Sequence, residues 1–213
     1  MQITYWSDYA CPFCYIGEGF LKQAIAKLDT KETFEFVMKA FQLDPGAPLK
    51  AEKPNIERTM AKYHMTREQA EARLAQMNAM AAAAGLEFNY ATALNTNTMD
   101  AHRLTKLAQS KGSQTAEKVT EALFRAYFIE NKELANRQTL LQIAEASGLD
   151  RAETEAMLDS DRFREDVIRD EREADYYGIH SVPFFVIGKY GISGAQDPQY
   201  LAAALKQIAE EEE

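Results

Sequence analysis

Two cysteines are the residues of this sequence best suited to chemistry. Cys11 and Cys14 are the only cysteines in the chain, and Pro12 and Phe13 separate them. A pair with this spacing can close into a disulfide with little backbone movement, and thiol–disulfide exchange uses such pairs. We therefore expect Cys11 to be an exposed nucleophile, and Cys14 to be a sheltered thiol that resolves the mixed disulfide formed by Cys11.

The elements predicted around the pair favour this chemistry. Residues 2–7 have the alternating pattern of a short strand, rich in β-branched and aromatic side chains. An amphipathic helix follows over residues 12–28, and Pro12 suits its first turn because proline lacks the N–H that would be unpaired there. A cysteine at a helix N-terminus faces free N–H groups and the positive end of the helix dipole, which favour thiolate over thiol.

Other interpretations of the pair stay open at this point: inert buried cysteines, half of a metal site, or a chance spacing with a non-redox role. If the cysteines were inert, their position between a strand and a helix and the presence of Pro12 would have no explanation. A structural zinc site needs four ligands, but the chain has no second cysteine pair, and His64, His102 and His180 are scattered. We therefore expect no metal and carry the redox hypothesis forward.

The order of predicted elements indicates one α/β domain interrupted by helices. The chain begins as strand, helix and strand, with the second strand over residues 33–39. Helical patterns then run to Gly178, and a short hairpin and a final helix follow. Because neither chain end alone has enough strands to bury a sheet, we expect the two ends to share one. The predicted domains are a discontinuous one of residues 1–45 plus 165–213 and a helical insertion of residues 46–164.

Capping residues mark helix boundaries within the insertion. Thr66 and Gln69 resemble a capping box, and Asn136 is placed to cap a later helix. A long charged helix over residues 161–177 closes the series. We expect its charged run, residues 169–175, to form a solvated face.

Composition and charge exclude several classes of function. The 213 residues are 46% hydrophobic and 27% charged, an ordinary balance for a globular protein. The net charge of −9 argues against nucleic-acid binding, because neutralising phosphates needs clustered Lys and Arg. No apolar run is long enough to span a bilayer, and no secretory signal pattern precedes Cys11. We expect a cytoplasmic protein, where a lone cysteine pair is more often catalytic or metal-bound than structural.

Three segments of the chain resemble a known protein family. They are Ser7-Asp8 before Cys11-Pro12-Phe13-Cys14-Tyr15-Ile16-Gly17, then Val182-Pro183-Phe184-Phe185, then Tyr190-Gly191-Ile192-Ser193-Gly194-Ala195-Gln196. The chain resembles the DsbA family, and most of all its FrnE-type cytoplasmic branch, over essentially its whole length. The resemblance implies a thioredoxin-like α/β fold with a large inserted all-helical domain. The same wider group contains kappa-class glutathione transferases and 2-hydroxychromene-2-carboxylate isomerases, which bind glutathione and typically lack the complete cysteine pair.

The resemblance also implies which residues border the substrate. Pro183 would be a cis proline facing the cysteines, and it would leave the Val182 backbone free to pair with an extended substrate beside Cys11. Pro12 and Phe13 would complete this substrate-binding surface.

One position departs from the family pattern. Thioredoxin-like relatives usually carry a buried acid six residues before the nucleophile, and this chain has Tyr5 there. Proton transfer from Cys14 must then use Asp8, the Tyr5 hydroxyl or water, and the sequence does not choose among them. His102 is the histidine best placed for a substrate or glutathione contact, with ordinary helix packing as the alternative.

The residues between the cysteines bear on the redox potential. Strong periplasmic oxidants of the family have Pro-His at the place of Pro12 and Phe13. A histidine there can add positive charge and hydrogen bonds to a thiolate, whereas phenylalanine adds neither. We expect a less oxidising potential than theirs.

These observations favour a thiol–disulfide oxidoreductase that acts on protein or peptide substrates through Cys11, Cys14 and the Pro183 loop. No tightly bound cofactor is expected, and glutathione is a candidate redox partner or substrate. The alternative is a glutathione-dependent transferase or isomerase acting on a small aromatic molecule. A third class is a binding module that holds peptides without catalysis.

Overall fold

A computed structural model describes residues 1–30 and 33–212, and it places helices around a small mixed sheet. The elements in chain order are β1 (Gln2–Ser7), α1 (Pro12–Ala26), β2 (Glu35–Ala40), α2 (Asn55–Tyr63), α3 (Arg67–Ala83), a 3-10 turn (Tyr90–Thr92), α4 (Met99–Gln109), α5 (Ser113–Phe128), α6 (Arg137–Ala146), α7 (Arg151–Leu158), α8 (Arg164–Tyr176), β3 (Phe184–Ile187), β4 (Tyr190–Ser193) and α9 (Pro198–Glu212). Within these described ranges, no helix is both long and apolar enough to cross a bilayer.

The two ends of the chain form one sheet, as predicted. The strand order is β2-β1-β3-β4, with β1 parallel to β2 and antiparallel to β3. A parallel pair of strands needs a crossover connection, and α1 forms the crossover between β1 and β2. The hairpin of β3 and β4 then completes the sheet, and it pairs Phe185 with both Tyr5 and Ile192.

Strand β1 has packing partners on both of its faces. Ile3 and Tyr5 belong to the main hydrophobic core, whereas Trp6 packs on the opposite face with Ala174 and Ile179. The indole Nε1 of Trp6 donates to the carbonyl of Asp170 on α8.

The prediction that residues 169–175 form a solvated face was wrong in part. Asp170 is 6% exposed and Ala174 is fully buried, because α8 lies against the sheet. A run of charged residues on a helix does not show which of them will turn toward a neighbouring strand. In this run Asp170 turns inward, and its carboxylate accepts a hydrogen bond from the backbone N–H of Ala40.

The main core continues from the sheet into the inserted helices. Tyr15 of α1 stacks on Phe124 of α5, with ring centroids 4.8 Å apart, and Phe88 lies against both Tyr15 and Phe128. The prediction of an α/β fold interrupted by helices is confirmed. The domain boundaries at residues 45 and 165 stay a prediction.

Most of the predicted element ends agree with the structure within a few residues. Both hydrogen bonds of the Thr66–Gln69 capping box are present at the start of α3, and Asn136 caps α6. The predicted helix over residues 12–28 ends at Ala26, and the charged helix spans Arg164–Tyr176.

Candidate active site

The cysteine pair lies where β1 gives way to α1. Cys11 occupies the N-cap position, with an extended backbone, and Pro12 begins the helix. No side-chain hydrogen bond caps this end, and the N-terminus of a helix leaves N–H groups without partners inside the helix. Cys14 donates its N–H to the Cys11 carbonyl over 3.1 Å, which holds both residues in the first turn. The predicted helix N-terminus at Cys11 is confirmed.

The surroundings of Cys11 differ from the expectation of an exposed nucleophile. The residue is 4% exposed, because the loop before β3 covers it. The Val182–Pro183 peptide bond is cis, as the family resemblance implied, and the Cys11 Sγ lies 3.7 Å from the Val182 carbonyl oxygen. Cys11 nevertheless borders a cleft, so a partner sulfur has a route to it from that side.

Cys14 is the more enclosed of the two thiols. It is 1% exposed and is not disulfide-bonded to Cys11 in this structure. Burial raises the pKa of the Cys14 thiol well above its usual range, and the neighbouring Cys11 sulfur raises this pKa further. The Asp8 N–H lies 3.5 Å from the Cys14 Sγ, and this contact and the Ser7 hydroxyl oppose the shift.

Asp8 and His102 form a buried polar pair beside the cysteines. The Asp8 carboxylate accepts from the Leu43 backbone N–H at 2.9 Å and lies 3.3 Å from the His102 Nε2. Both residues are 1% exposed, and the His102 ring packs on Tyr9. His102 therefore packs in the interior, the alternative that the sequence allowed, and does not line the cleft.

Besides Asp8, a second buried acid lies next to Tyr5, and it comes from α1 instead of β1. Glu18 is 3% exposed and accepts a hydrogen bond of 3.1 Å from the Tyr5 hydroxyl. Lys22, one turn further along, pairs with Glu18 over 2.8 Å. Sequence reasoning missed this arrangement, although Gly17 and Gly19 on either side of Glu18 indicate a helix that is closely packed all round.

Gly17 allows α1 to approach the proline loop. A Cβ atom at this position would lie 3.0 Å from Cγ of Pro183 and 3.4 Å from Cα of Ala195. A side chain here would press on the loop that carries Val182, the contact of Cys11.

The cleft beside Cys11 has a volume of about 630 Å³ and lies between the cysteine turn and the helical insertion. Pro12 and Phe13 line it with Cys11, so these three predicted residues lie together. Phe13 is 37% exposed. The facing wall comes from α2, α3 and the segment around Tyr90, whose residues the sequence analysis did not single out.

No metal centre is evident at the cysteines or elsewhere in the described part of the chain. Its His, Cys, Asp and Glu side chains nowhere gather in a group of three or more that could hold an ion.

Comparison with known proteins identifies the family. Residues 2–206 match the family model described as a DSBA-like thioredoxin domain. The chain belongs to this family. The predicted thioredoxin-like fold with a helical insertion is therefore confirmed for this DSBA-like protein.

Solved structures with a similar fold agree with this family assignment. A probable DsbA oxidoreductase from Streptomyces coelicolor, SCO1869, is 36% identical and superposes with a TM-score of 0.92, over 99% of this chain and 91% of that one. A 2-hydroxychromene-2-carboxylate isomerase is 16% identical with a TM-score of 0.72, over 100% of this chain and 98% of that one. The cytosolic disulfide reductase DsbM of Pseudomonas aeruginosa, solved with GSH, is 17% identical with a TM-score of 0.61, over 100% and 98%. At these low identities, the last two likenesses concern the fold alone.

Proposed function

We propose that this DSBA-like protein is a thiol–disulfide oxidoreductase that exchanges disulfides with protein or peptide thiols. The observation that carries the proposal is the arrangement of Cys11 at the N-terminus of α1, beside the Val182 carbonyl, with Cys14 sheltered one turn further along. The helix N-terminus directs backbone N–H groups toward its cap position, where the first cysteine lies, and the enclosed second cysteine is held beside it.

The exchange proceeds in two displacements. In the reducing direction, the Cys11 thiolate attacks a substrate disulfide, forms a mixed disulfide and releases one substrate thiolate, which takes a proton from water. Cys14 then loses its proton and attacks the Cys11 sulfur. This step releases the second substrate thiol and leaves a Cys11–Cys14 disulfide, so two electrons pass to the substrate. In the oxidising direction the same steps run in reverse.

Cys14 requires help to ionise, because its burial raises its pKa. The Asp8 N–H and the Ser7 hydroxyl contribute donors to the Cys14 thiolate as it forms. Asp8, the Tyr5 hydroxyl and water remain the candidate proton acceptors named from the sequence. Of these, Tyr5 is hydrogen-bonded to Glu18.

We infer the redox partner from the cellular compartment that the sequence predicts. The sequence predicts a cytoplasmic protein, and a reducing cytosol would keep the pair as dithiol. Net reductase, isomerase or oxidative-stress repair roles follow from that form, and glutathione is our proposed recycling partner. The GSH-containing structure of the DsbM fold relative supports this choice.

The test is an insulin-reduction or scrambled-ribonuclease assay with wild type, Cys11→Ser and Cys14→Ser. We expect Cys11→Ser to abolish exchange, and Cys14→Ser to stall it as a mixed disulfide that can be trapped with its partner. Full activity in both variants would contradict the thiol mechanism. Binding of unfolded peptides without turnover would favour the binding-module alternative.

A second candidate is a glutathione-dependent transferase or isomerase of small aromatic molecules. The specific observation in its favour is the size of the cleft, because about 630 Å³ is typical of small-ligand sites. Glutathione conjugation that survives Cys14→Ser would favour this function, since that chemistry does not need a resolving thiol.

A further inference from the structure

The charge of the cleft wall is opposite in sign to that of the whole chain. The protein carries a net charge of −9. Among the described residues that line the cleft beside Cys11, however, Arg58, Lys62 and Arg73 are cations, and Asp44 is the only carboxylate. A cation-lined concavity concentrates anions, because low-dielectric walls focus its field.

The three cations come from two helices of the insertion, and among the described residues only Arg58 of the three has a carboxylate within ion-pair distance. Arg58 and Lys62 lie one turn apart on α2. Arg58 meets Asp44 at 3.9 Å, a long contact between half-exposed side chains that offsets little charge. Arg73 of α3 lies over the ring of Tyr63, 4.5 Å from its centroid, and both residues line the cleft.

Two buried amides lie in the same wall. Asn55 is 5% exposed and Asn95 is 6% exposed, and both line the cleft. Asn55 approaches the Tyr90 hydroxyl. Neither Nδ2 atom makes a hydrogen bond with good geometry to any residue that the structure describes. Unsatisfied N–H donors add to the positive potential of this wall.

We propose that the cleft binds small thiols and disulfides that carry carboxylates, with the sulfur at Cys11 and the carboxylates against Arg58, Lys62 and Arg73. This inference rests on the proposed function of the same site and names its substrate class. A cleft of about 630 Å³ matches a low-molecular-weight ligand. Cysteine-derived compounds of that size carry their negative charge on carboxylates, the groups that guanidinium and ammonium side chains pair with.

A binding experiment tests the subsite without thiol chemistry. S-methylglutathione has no free thiol, and its diethyl ester lacks the negative charges. By calorimetry, we expect wild type to bind the acid more tightly than the ester, with an affinity that falls as salt is added. Each lost cation should weaken binding of the acid about two- to fivefold, so Arg58→Gln/Lys62→Gln and Arg73→Gln should both bind less tightly.

Lys206→Gln is the matched control, because it removes one exposed cation from α9, away from the cleft. It should bind the acid as wild type does. Equal binding of acid and ester by wild type, or unchanged binding by the Arg58 and Arg73 variants, would overturn the inference. The comparison of acid and ester uses wild type alone, so it holds even where a variant folds poorly.

Exchange kinetics separate this inference from the proposed function. We expect wild type to reduce glutathione disulfide faster than neutral hydroxyethyl disulfide. Arg58→Gln/Lys62→Gln should slow reduction of the charged disulfide more than reduction of the neutral one, which lowers the ratio of the two rates. Exchange of both disulfides at a ratio that no variant changes would refute the carboxylate subsite but keep the oxidoreductase. Binding of S-methylglutathione without any disulfide exchange would support the subsite and refute the oxidoreductase.

Discussion

At the level of single residues, Cys11 and Cys14 differ most in what surrounds their sulfur atoms. Cys11 lies at the end of a helix and at the edge of a cleft, whereas Cys14 is enclosed by protein. A cysteine whose sulfur can meet a partner suits the first displacement. An enclosed cysteine that lies beside Cys11 suits the second.

The raised pKa of Cys14 predicts how the stability of the reduced protein changes with pH. The native state holds the Cys14 proton more tightly than the unfolded chain, whose thiols ionise near pH 8.5. This contribution is fully present below that pH, and it is lost as pH rises further, because the unfolded chain then binds fewer protons. We expect the free energy of unfolding to fall by up to about 1.4 kcal/mol per pH unit above about 8.5.

Urea unfolding of the reduced protein between pH 7.5 and 9.5 measures this slope, with Cys14→Ser as the comparison. The variant should show a shallower slope, because its hydroxyl does not titrate. Toward the upper end of this window, buried tyrosines such as Tyr5, whose pKa is raised, add a slope of their own, because unfolded tyrosines ionise near pH 10. Both proteins share that slope, so the difference between them reports Cys14. Equal slopes in the two proteins would contradict the pKa assignment.

Phe13 leads to a prediction about the redox potential. Its ring lines the cleft beside Cys11 and offers the thiolate neither charge nor a hydrogen bond. Phe13→His should make the potential less negative, because a histidine there stabilises the dithiol form. About 30 mV corresponds to 1.4 kcal/mol for this two-electron couple. Equilibration with glutathione buffers measures both proteins, and Phe13→Leu should stay near wild type. A wild-type potential near −120 mV, which is typical of a strong oxidant, would contradict the prediction that this protein is less oxidising.

At the level of elements, α1 is held from both sides. Gly17 lets it approach the Pro183 loop, and Tyr15 inserts into the aromatic cluster of the insertion. The Tyr15 ring stacks on Phe124 and Phe88, and its hydroxyl donates to Glu121 over 2.7 Å. The insertion therefore helps to fix the helix that carries both cysteines.

Substitution of Tyr15 should measure that support. Tyr15→Ala removes a 2%-exposed ring and should lower the free energy of unfolding by about 3–5 kcal/mol. Tyr15→Phe keeps the stack and loses the hydrogen bond to Glu121, so it should cost about 1 kcal/mol. Urea unfolding of the three proteins checks this order. Similar losses in both variants would mean that the hydroxyl, and not the stacked ring, anchors α1.

At the level of the whole molecule, Asp170 links the sheet to the insertion. Its carboxylate accepts from the Ala40 N–H of β2 and pairs with Lys106 of α4, while its carbonyl accepts from Trp6. Three parts of the fold therefore meet at one mostly buried side chain. Breaking such a pair is costly, because it leaves a buried charge without its partner.

Asp170→Asn should destabilise the protein by about 3 kcal/mol, because Lys106 loses its counter-charge while the amide oxygen can still accept from Ala40. The control is Glu165→Gln, which breaks an exposed ion pair with Arg172 on the same helix and should stay within about 0.5 kcal/mol of wild type. Urea unfolding compares them. A loss for Asp170→Asn as small as that of the control would show that the buried pair contributes little.

The parts of the fold that depend on local pattern were predictable. The strands at both chain ends, the cap at Asn136 and the helix start at Pro12 follow from spacing and residue type within a few positions. The inward turn of Asp170 was not predictable, because its partners Ala40 and Lys106 are distant in sequence.

The same division applies to the candidate site. The chemistry expected of the cysteine pair was predictable from the sequence, because a two-residue spacing at a helix start is a local property. It needs only Cys11, Pro12, Phe13 and Cys14. The enclosure of Glu18 and the cations facing Cys11 depend on how the inserted helices pack. Residue type and spacing thus determined the reaction class expected of this chain. Tertiary structure decided which groups surround the reacting sulfurs, because packing brings together residues that the chain keeps apart.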